Sequence, residues 1–285
     1  MKFDEDLAAI HGYLCGDGYV IKNPNTQKHK YYHIGFRNIN EAILKDFQSK
    51  FTKFFGITPI ITNESRCRIQ NKEIYMLLTN DFSYYSYKWE LPKLSRKCLK
   101  FWLRAFFDCE GWVENQPAKS RLIGLDCCNE FGLYSVQKAL DKLNISSQIK
   151  KRKNKTIWRL TICGMVTLKK FQKSIGFLHP EKKAKLKEAI NSYVNYDWFL
   201  PDSKKELFKF VKKKGKLRKS KDELIFISIK KKNLRNLKKA LNKYQIKSKL
   251  FGPWKSSTSS KYYSLVIKKE VLENERNKIR TAARD

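Results

Sequence analysis

One pattern recurs three times along this chain. Leu44, Phe47, Phe51 and Phe54 follow the spacing i, i+3, i+7, i+10. Leu133, Val136, Leu140 and Leu143 repeat it, and Leu234, Leu237, Leu241 and Tyr244 repeat it again. Each set lines one face of a helix of about three turns. An isoleucine follows every stripe (Ile57, Ile145 and Ile246), with the first copy offset by one residue. Alternating, strand-like segments flank the stripes: 31–37, 58–63 and 66–69; 120–127, 147–152 and 156–162; 223–229, 247–251 and 262–267. That alternation predicts sheets with one covered and one open face.

Two of the copies are preceded by an apolar run that ends in an acid and a glycine. The first is Ile10-His11-Gly12-Tyr13-Leu14-Cys15-Gly16-Asp17-Gly18, and the second is Leu103-Arg104-Ala105-Phe106-Phe107-Asp108-Cys109-Glu110-Gly111. Each reads as a helix, starting near Asp4 and Ser95, that carries a carboxylate at its C-terminal end and is stopped by glycine. Two such helices packed side by side place both carboxylates at one spot, a natural seat for a divalent cation. The third copy shows no acid-tipped helix. It follows Pro201 and a Lys-rich stretch, 212–216, so a domain boundary is expected near Asn195.

Charge points to the partner. The net formal charge is +34 over 285 residues, and a polyanion, nucleic acid first, accounts for it. Residues 196–285 hold 27 Lys and Arg against 9 Asp and Glu, a net of +18, in less than a third of the chain. This stretch reads as an added polyanion-binding module. No apolar run of membrane-spanning length is present, so no membrane partner is expected. The seven cysteines lack CxxC spacing and fit buried thiols in a reducing compartment. The four histidines do not pair with them at zinc-finger spacing. The acidic start, Met1 to Asp6, has no signal-peptide character, so the expected location is intracellular: a prokaryotic cytoplasm or an organelle that encodes the protein.

The two motifs, their separation and the repeated strand–helix–strand pattern resemble the LAGLIDADG homing endonucleases of the single-chain, two-motif type. The first motif keeps Gly12, Tyr13, Leu14, Asp17 and Gly18; the second keeps Ala105, Phe106, Phe107, Asp108, Glu110 and Gly111. The resemblance spans residues 1 to about 195 and includes Ile175-Gly176-Phe177 at the end of a family repeat. It implies an α+β fold of two pseudo-symmetric αββαββα halves, residues 1–94 and 95–195, that form a saddle over double-stranded DNA. Residues 196–285 would form a smaller, basic α+β module that binds nucleic acid. The implied activity is Mg²⁺- or Mn²⁺-dependent hydrolysis of one phosphodiester in each strand across the minor groove of a long target site.

The same resemblance assigns roles to residues. Asp17 and Glu110 are the catalytic metal ligands, joined by the carbonyls of Gly16 and Cys109. Gly12 and Ala105 let the motif helices approach. Arg37 matches a basic residue that family members place after the second strand of each half; the second-half position falls near Cys128 or Asn129, neither of which is basic. Nicking in place of full cleavage is one consequence. The open sheet faces would read DNA through Lys28, Lys30, Tyr32, Arg37, Arg66 and Arg68 in the first half. Lys119, Arg121, Lys150, Arg152, Lys153 and Arg159 would do so in the second. Asp108 and His11 are read as packing or hydrogen-bonding residues. Trp112, Trp158 and Trp254 can stack on bases, although core packing is the commoner fate of tryptophan. Terminal splicing residues of an intein are not evident, which favours an intron-encoded or free-standing monomer. Two rivals use the same scaffold: a maturase acting on intron RNA, and a nuclease-dead DNA-binding regulator.

Overall fold

The computed structural model describes residues 2–24, 26–117, 119–153, 155–193, 196–218, 222–255 and 261–268. The chain divides into two compact units, residues 1–193 and 194–285. The boundary residue expected from sequence, Asn195, lies outside the described residues.

In the first unit, helix α1 (Glu5–Cys15) starts at Asp4, whose carboxylate accepts the Leu7 N–H at 2.8 Å. Helix α4 (Arg96–Glu110) starts at Ser95, whose hydroxyl accepts the Cys98 N–H. Both caps occupy the residues expected from sequence, and both satisfy a donor that a helix start leaves open. Every residue of α1 from Leu7 to Cys15 is buried. A helix apolar all round is the centre of a core rather than a surface element.

Each motif helix leads into a four-stranded antiparallel sheet. Strands β1 (Gly18–Lys22), β2 (Tyr32–Arg37), β3 (Ile60–Thr62) and β4 (Arg66–Gln70) lie in the order β1-β2-β4-β3, with helix α2 (Glu41–Phe55) between β2 and β3. Strands β5 (Gly111–Gln116), β6 (Ser120–Cys127), β7 (Gln148–Lys151) and β8 (Trp158–Cys163) repeat the order as β5-β6-β8-β7, around helix α5 (Glu130–Lys142). Helix α3 (Lys72–Thr79) ends the first half; α6 (Met165–Ser174) and α7 (Pro180–Asn191) end the second. The stripes bury as expected: Leu44, Phe47 and Phe51 on α2, and Leu133, Val136 and Leu140 on α5. Strands β1 and β5, which follow the motif glycines directly, carry too little apolar alternation to stand out in the sequence.

The registers of the two halves coincide. Gly18 pairs with Phe36 as Gly111 pairs with Leu125, and Gly35 pairs with Arg68 as Gly124 pairs with Thr161. Both inner glycines accommodate an aromatic ring from the neighbouring strand. A Cβ on Gly35 would sit 2.3 Å from the Tyr19 ring, and one on Gly124 would sit 2.1 Å from the Trp112 ring.

The second unit contains a third copy, and a leading helix precedes it too, although this helix is not tipped by an acid. Helix α8 (Lys204–Lys214) precedes β9 (Lys216–Arg218) and β10 (Glu223–Ser228); helix α9 (Lys231–Asn242) precedes β11 (Lys249–Lys255) and β12 (Lys261–Lys268). The strand order is again β9-β10-β12-β11. Gly215 packs on the Val211 carbonyl as Gly111 packs on that of Phe107. Lys214 therefore stands where Asp17 and Glu110 stand, so α8 ends in positive charge where α1 and α4 lead to a carboxylate. The stripe Leu234, Leu237 and Leu241 is fully buried under this sheet.

His11 is sealed in the core of the first unit. Its Nδ1 accepts the Trp102 indole N–H at 3.0 Å, and the rings of Phe3, Phe82 and Tyr84 enclose it. Burial pushes its pKa down to about 3. The unfolded chain takes up that proton near 6.5, so between these values the unfolded state binds more protons. His11 therefore costs nothing above pH 6.5 and destabilises progressively as pH falls. By pH 5 the loss is about 2 kcal/mol. Urea melts of wild type and His11→Gln, which keeps an acceptor for Trp102 and cannot titrate there, should converge towards acid pH.

Candidate functional site

Helices α1 and α4 meet through equivalent residues, as expected around a twofold axis. A Cβ on Gly12 would lie 2.6 Å from the Trp102 carbonyl oxygen and 3.1 Å from the Ala105 Cβ. One on Gly16 would lie 2.5 Å from the Cys109 Cβ. The two helices thus approach closely along Gly12–Ala105 and Gly16–Cys109, and each delivers its acid at the next position, Asp17 and Glu110. Burial first, and then the Asp17 charge, push the Glu110 carboxyl up to about 7.

Two neighbours that the sequence reading missed, Asn38 and Lys182, shape this spot. The Asn38 amide donates to Asp17 Oδ2 at 2.9 Å. Antiparallel pairing of Gly18 with Phe36 carries the end of β2 back to Asp17, and the Arg37 N–H donates to the Asp17 carbonyl. Lys182, on the first turn of α7, donates to the carbonyls of Asp108 (2.5 Å) and Cys109 (3.0 Å). Its ammonium offsets the negative end of α4. Asp108 points away from the acids: its carboxylate accepts the Leu178 and His179 N–H groups and caps the start of α7. Only the hairpin register could have revealed Asn38. Nothing in Pro180-Glu181-Lys182 marks Lys182.

The donors at this spot are oxygens: two carboxylates and the main-chain carbonyls that end α1 and α4. That set suits Mg²⁺ or Mn²⁺, which are bound through oxygen. No cluster of three or more His, Cys, Asp or Glu side chains occurs among the described residues, so carbonyls would have to complete a coordination shell. The Cys109 carbonyl already accepts Lys182, leaving it one lone pair.

The open face of the first sheet carries Arg37 and Arg66 on one row with Thr62, and Arg68 on the next. Lys28 is exposed in the β1–β2 connection; Lys30 is exposed there too, but its ammonium is engaged by the Pro24 and Gln27 carbonyls. Tyr32 must be corrected: it falls on the helix-covered face, its ring 5.1 Å from that of Tyr75. Arg121 must be corrected as well. It faces inward, donating to the Ser192 hydroxyl and carbonyl and lying over the Tyr193 ring. In both cases strand parity reverses the expected direction.

On the second sheet the residue at the register position of Arg37 is Asp126, two places before Cys128. Asp126 accepts two hydrogen bonds from Arg159 (2.6 and 2.7 Å) and one from Arg152 (3.1 Å), and these arginines hold its carboxyl below its usual range. Arg159 also lies over Trp112. Arg152 and Arg159 are on the sheet as expected, with part of their donor capacity spent internally. Lys119, Lys150 and Lys153 are exposed. Asn129 is buried and caps α5 through the Gly132 N–H.

Paired αββαββ halves joined along two acid-tipped helices define a class of protein, and the sequence places this chain within it. A family model described as a LAGLIDADG-like domain matches residues 4–88 and 98–176, more than half of the chain. The chain belongs to the LAGLIDADG family. Among curated proteins it is similar to the replication factor C small subunit of Methanocaldococcus jannaschii, 24% identical over 227 residues, covering 77% of this chain and 12% of that protein. The protein of the same name from Pyrococcus horikoshii is 27% identical over 187 residues, covering 64% and 19%. The chain thus spans less than a fifth of the length of these two relatives. Among solved structures, one of mesophilic variants of the homing endonuclease I-DmoI aligns with a TM-score of 0.48 at 17% identity, covering 65% of this chain and 100% of that one. The N-terminal LAGLIDADG domain of DUF199/WhiA aligns at 0.39 and 15%, covering 62% and 86%. Among the described residues, no helix is long and apolar enough to cross a membrane.

Proposed function

We propose that this protein is a site-specific double-strand DNA homing endonuclease. The observation that carries the reading is the close approach of α1 and α4, which brings Asp17 near enough to raise the Glu110 carboxyl. Asp17, Glu110 and the carbonyls of Gly16 and Cys109 would hold Mg²⁺ or Mn²⁺. The cation, when bound, would activate a water and relieve charge on the leaving oxygen. Asn38 fixes the Asp17 carboxylate, and Lys182 fixes the end of α4 that presents Glu110. Arg37, Arg66 and Arg68 would contact duplex DNA from the first sheet; Lys150, Lys153 and the free donors of Arg152 and Arg159 would do so from the second. On this reading the protein acts inside the cell as a monomer, and residues 196–285 add nucleic-acid affinity. Incubation with DNA of the uninterrupted host allele and Mg²⁺ tests it: specific double-strand cleavage is expected, and intact DNA at every Mg²⁺ concentration would contradict it.

The two strands are not expected to be cut alike. Arg37 can support charge on one side, whereas the register partner on the other is Asp126, already neutralised by Arg159 and Arg152. Loss of one preorganised donor slows such steps by about 10²-fold. A time course on supercoiled plasmid carrying the site should accumulate nicked circles before linear product. Simultaneous loss of both strands would remove the asymmetry from the account.

A further inference from the structure

The third αββαββ copy has the topology of a nuclease half but not its chemistry. Aligned on the helix-stop glycines Gly18, Gly111 and Gly215, the position of Asp17 and Glu110 holds Lys214. The close-approach position of Gly12 and Ala105 holds Lys209, which is paired with Glu206 at 2.7 Å. A lysine there keeps α8 from the backbone-to-backbone packing that α1 and α4 share.

Its sheet has changed too. In the first sheet, the open-face row at the end of the second strand reads Arg37–Arg66–Thr62, and in the second sheet it reads Asp126–Arg159–Lys150. The same row in the third sheet reads Ile227–Ser264–Phe251. At both ends of the row, side chains that form hydrogen bonds or ion pairs give way to apolar ones, with Ser264 between them. These side chains are not covered: Ile227 is 50% exposed, Phe251 42% and Trp254 48%. Trp254 pairs with Tyr262 on the next row, and its indole N–H donates to the Ser264 hydroxyl at 3.3 Å, which fixes the ring over the sheet. The expectation that Trp254 is core does not hold. Lysines frame the patch on the same face: Lys216 and Lys249 on the row of Ile225 and Val266, and Lys268 beyond them.

We propose that this open face binds single-stranded nucleic acid. Unpaired bases would stack on Phe251 and Trp254, and Lys216, Lys249 and Lys268 would hold the phosphates. Aromatic rings on a flat sheet, framed by cations, suit unpaired bases because the duplex hides base faces within its stack. A duplex reader presents charged and hydrogen-bonding groups to groove edges, which describes the first two sheets and not the third. The surplus of +18 over residues 196–285 favours an anionic polymer over a protein as the occupant. This inference rests on the reading of residues 196–285 as a nucleic-acid module and specifies its ligand.

Fluorescence anisotropy of the full chain tests it, with three labelled probes: a single-stranded DNA 20-mer, the RNA of the same sequence, and the DNA duplex. Phe251→Ala and Trp254→Ala should each weaken single-strand binding roughly 5- to 100-fold and leave duplex binding within about twofold. Trp254→Phe, which keeps a stacking face, should restore most of the loss. Tighter binding of RNA than DNA names a transcript as the source of the single strand, and the reverse names an opened DNA strand. Aromatic variants that bind single strands like wild type, or that lose duplex and single strand equally, overturn the proposal. The double variant Lys216→Ala, Lys249→Ala separates the two readings. If it weakens all probes while the aromatic variants do not, only the stacking inference falls. If neither set changes any probe, the nucleic-acid reading of this unit falls with it.

Discussion

Asp17→Asn and Glu110→Gln should each abolish specific cleavage while leaving DNA binding intact. Both substitutions keep the shape of the side chain and remove its charge, so the packing of α1 on α4 and the Asn38 contact to residue 17 have no steric reason to change. What disappears is a carboxylate ligand for the proposed cation and, with it, the activated water. A loss of about 10³-fold or more in cleavage rate is expected, at or above the cost of removing one preorganised transition-state donor. Affinity should hold or rise, because each variant removes negative charge from a surface that would face phosphate. Glu110→Gln carries the sharper readout. The Glu110 carboxyl sits at about 7, raised by its burial and by Asp17, so replacing it should also relieve a repulsion and leave the folded protein at least as stable. Rates on the cleavable allele, with binding measured in Ca²⁺, check all three statements. Retained cleavage in either variant would contradict the assignment of that acid.

Gly12→Val should have the largest effect on stability. The added Cβ alone would lie 2.6 Å from the Trp102 carbonyl oxygen, a backbone atom that cannot rotate aside, and the β-branch adds two methyl groups in a helix buried on every side. Helix propensity favours valine over glycine by a few tenths of a kcal/mol, which does not offset overpacking of about 3 kcal/mol. For a unit of this size the melting temperature should drop by roughly 6–12 °C. Cleavage should fall further than the folded fraction, because relief of the clash separates the α1 and α4 tips that carry Asp17 and Glu110. Calorimetry beside a rate measured at a temperature where the variant is fully folded distinguishes the two losses. A variant that melts like wild type would show that the helices are not in backbone contact.

Features that depend on local spacing were legible in the sequence. The caps at Asp4 and Ser95, the three stripes and the glycine-stopped motif helices all follow from residues within a few positions of one another. Features that depend on strand register were not. Tyr32 and Arg121 are basic or polar residues in correct strands, yet parity turns them towards the helices. Asp126, not residue 128 or 129, matches Arg37 because the hairpin that follows the motif is shorter in the second half: Gly18 and its register partner Phe36 are 18 positions apart, whereas Gly111 and Leu125 are 14 apart. Lys182 reaches the end of α4 from the far end of the second half, a contact between residues about seventy positions apart that no local pattern encodes. The third copy shows in the sequence through its stripe, whereas α8 carries no acid–glycine end to mark it, because this helix ends in Lys212-Lys213-Lys214.

Crystals of the protein with duplex DNA of the uninterrupted allele, grown in Mn²⁺, test the central claim by anomalous scattering at the manganese edge. A peak between the Asp17 and Glu110 carboxylates, lost in the Asp17→Asn variant, is the expected result. Carboxylates turned apart, with manganese absent from between them in a fully bound complex, would contradict the account.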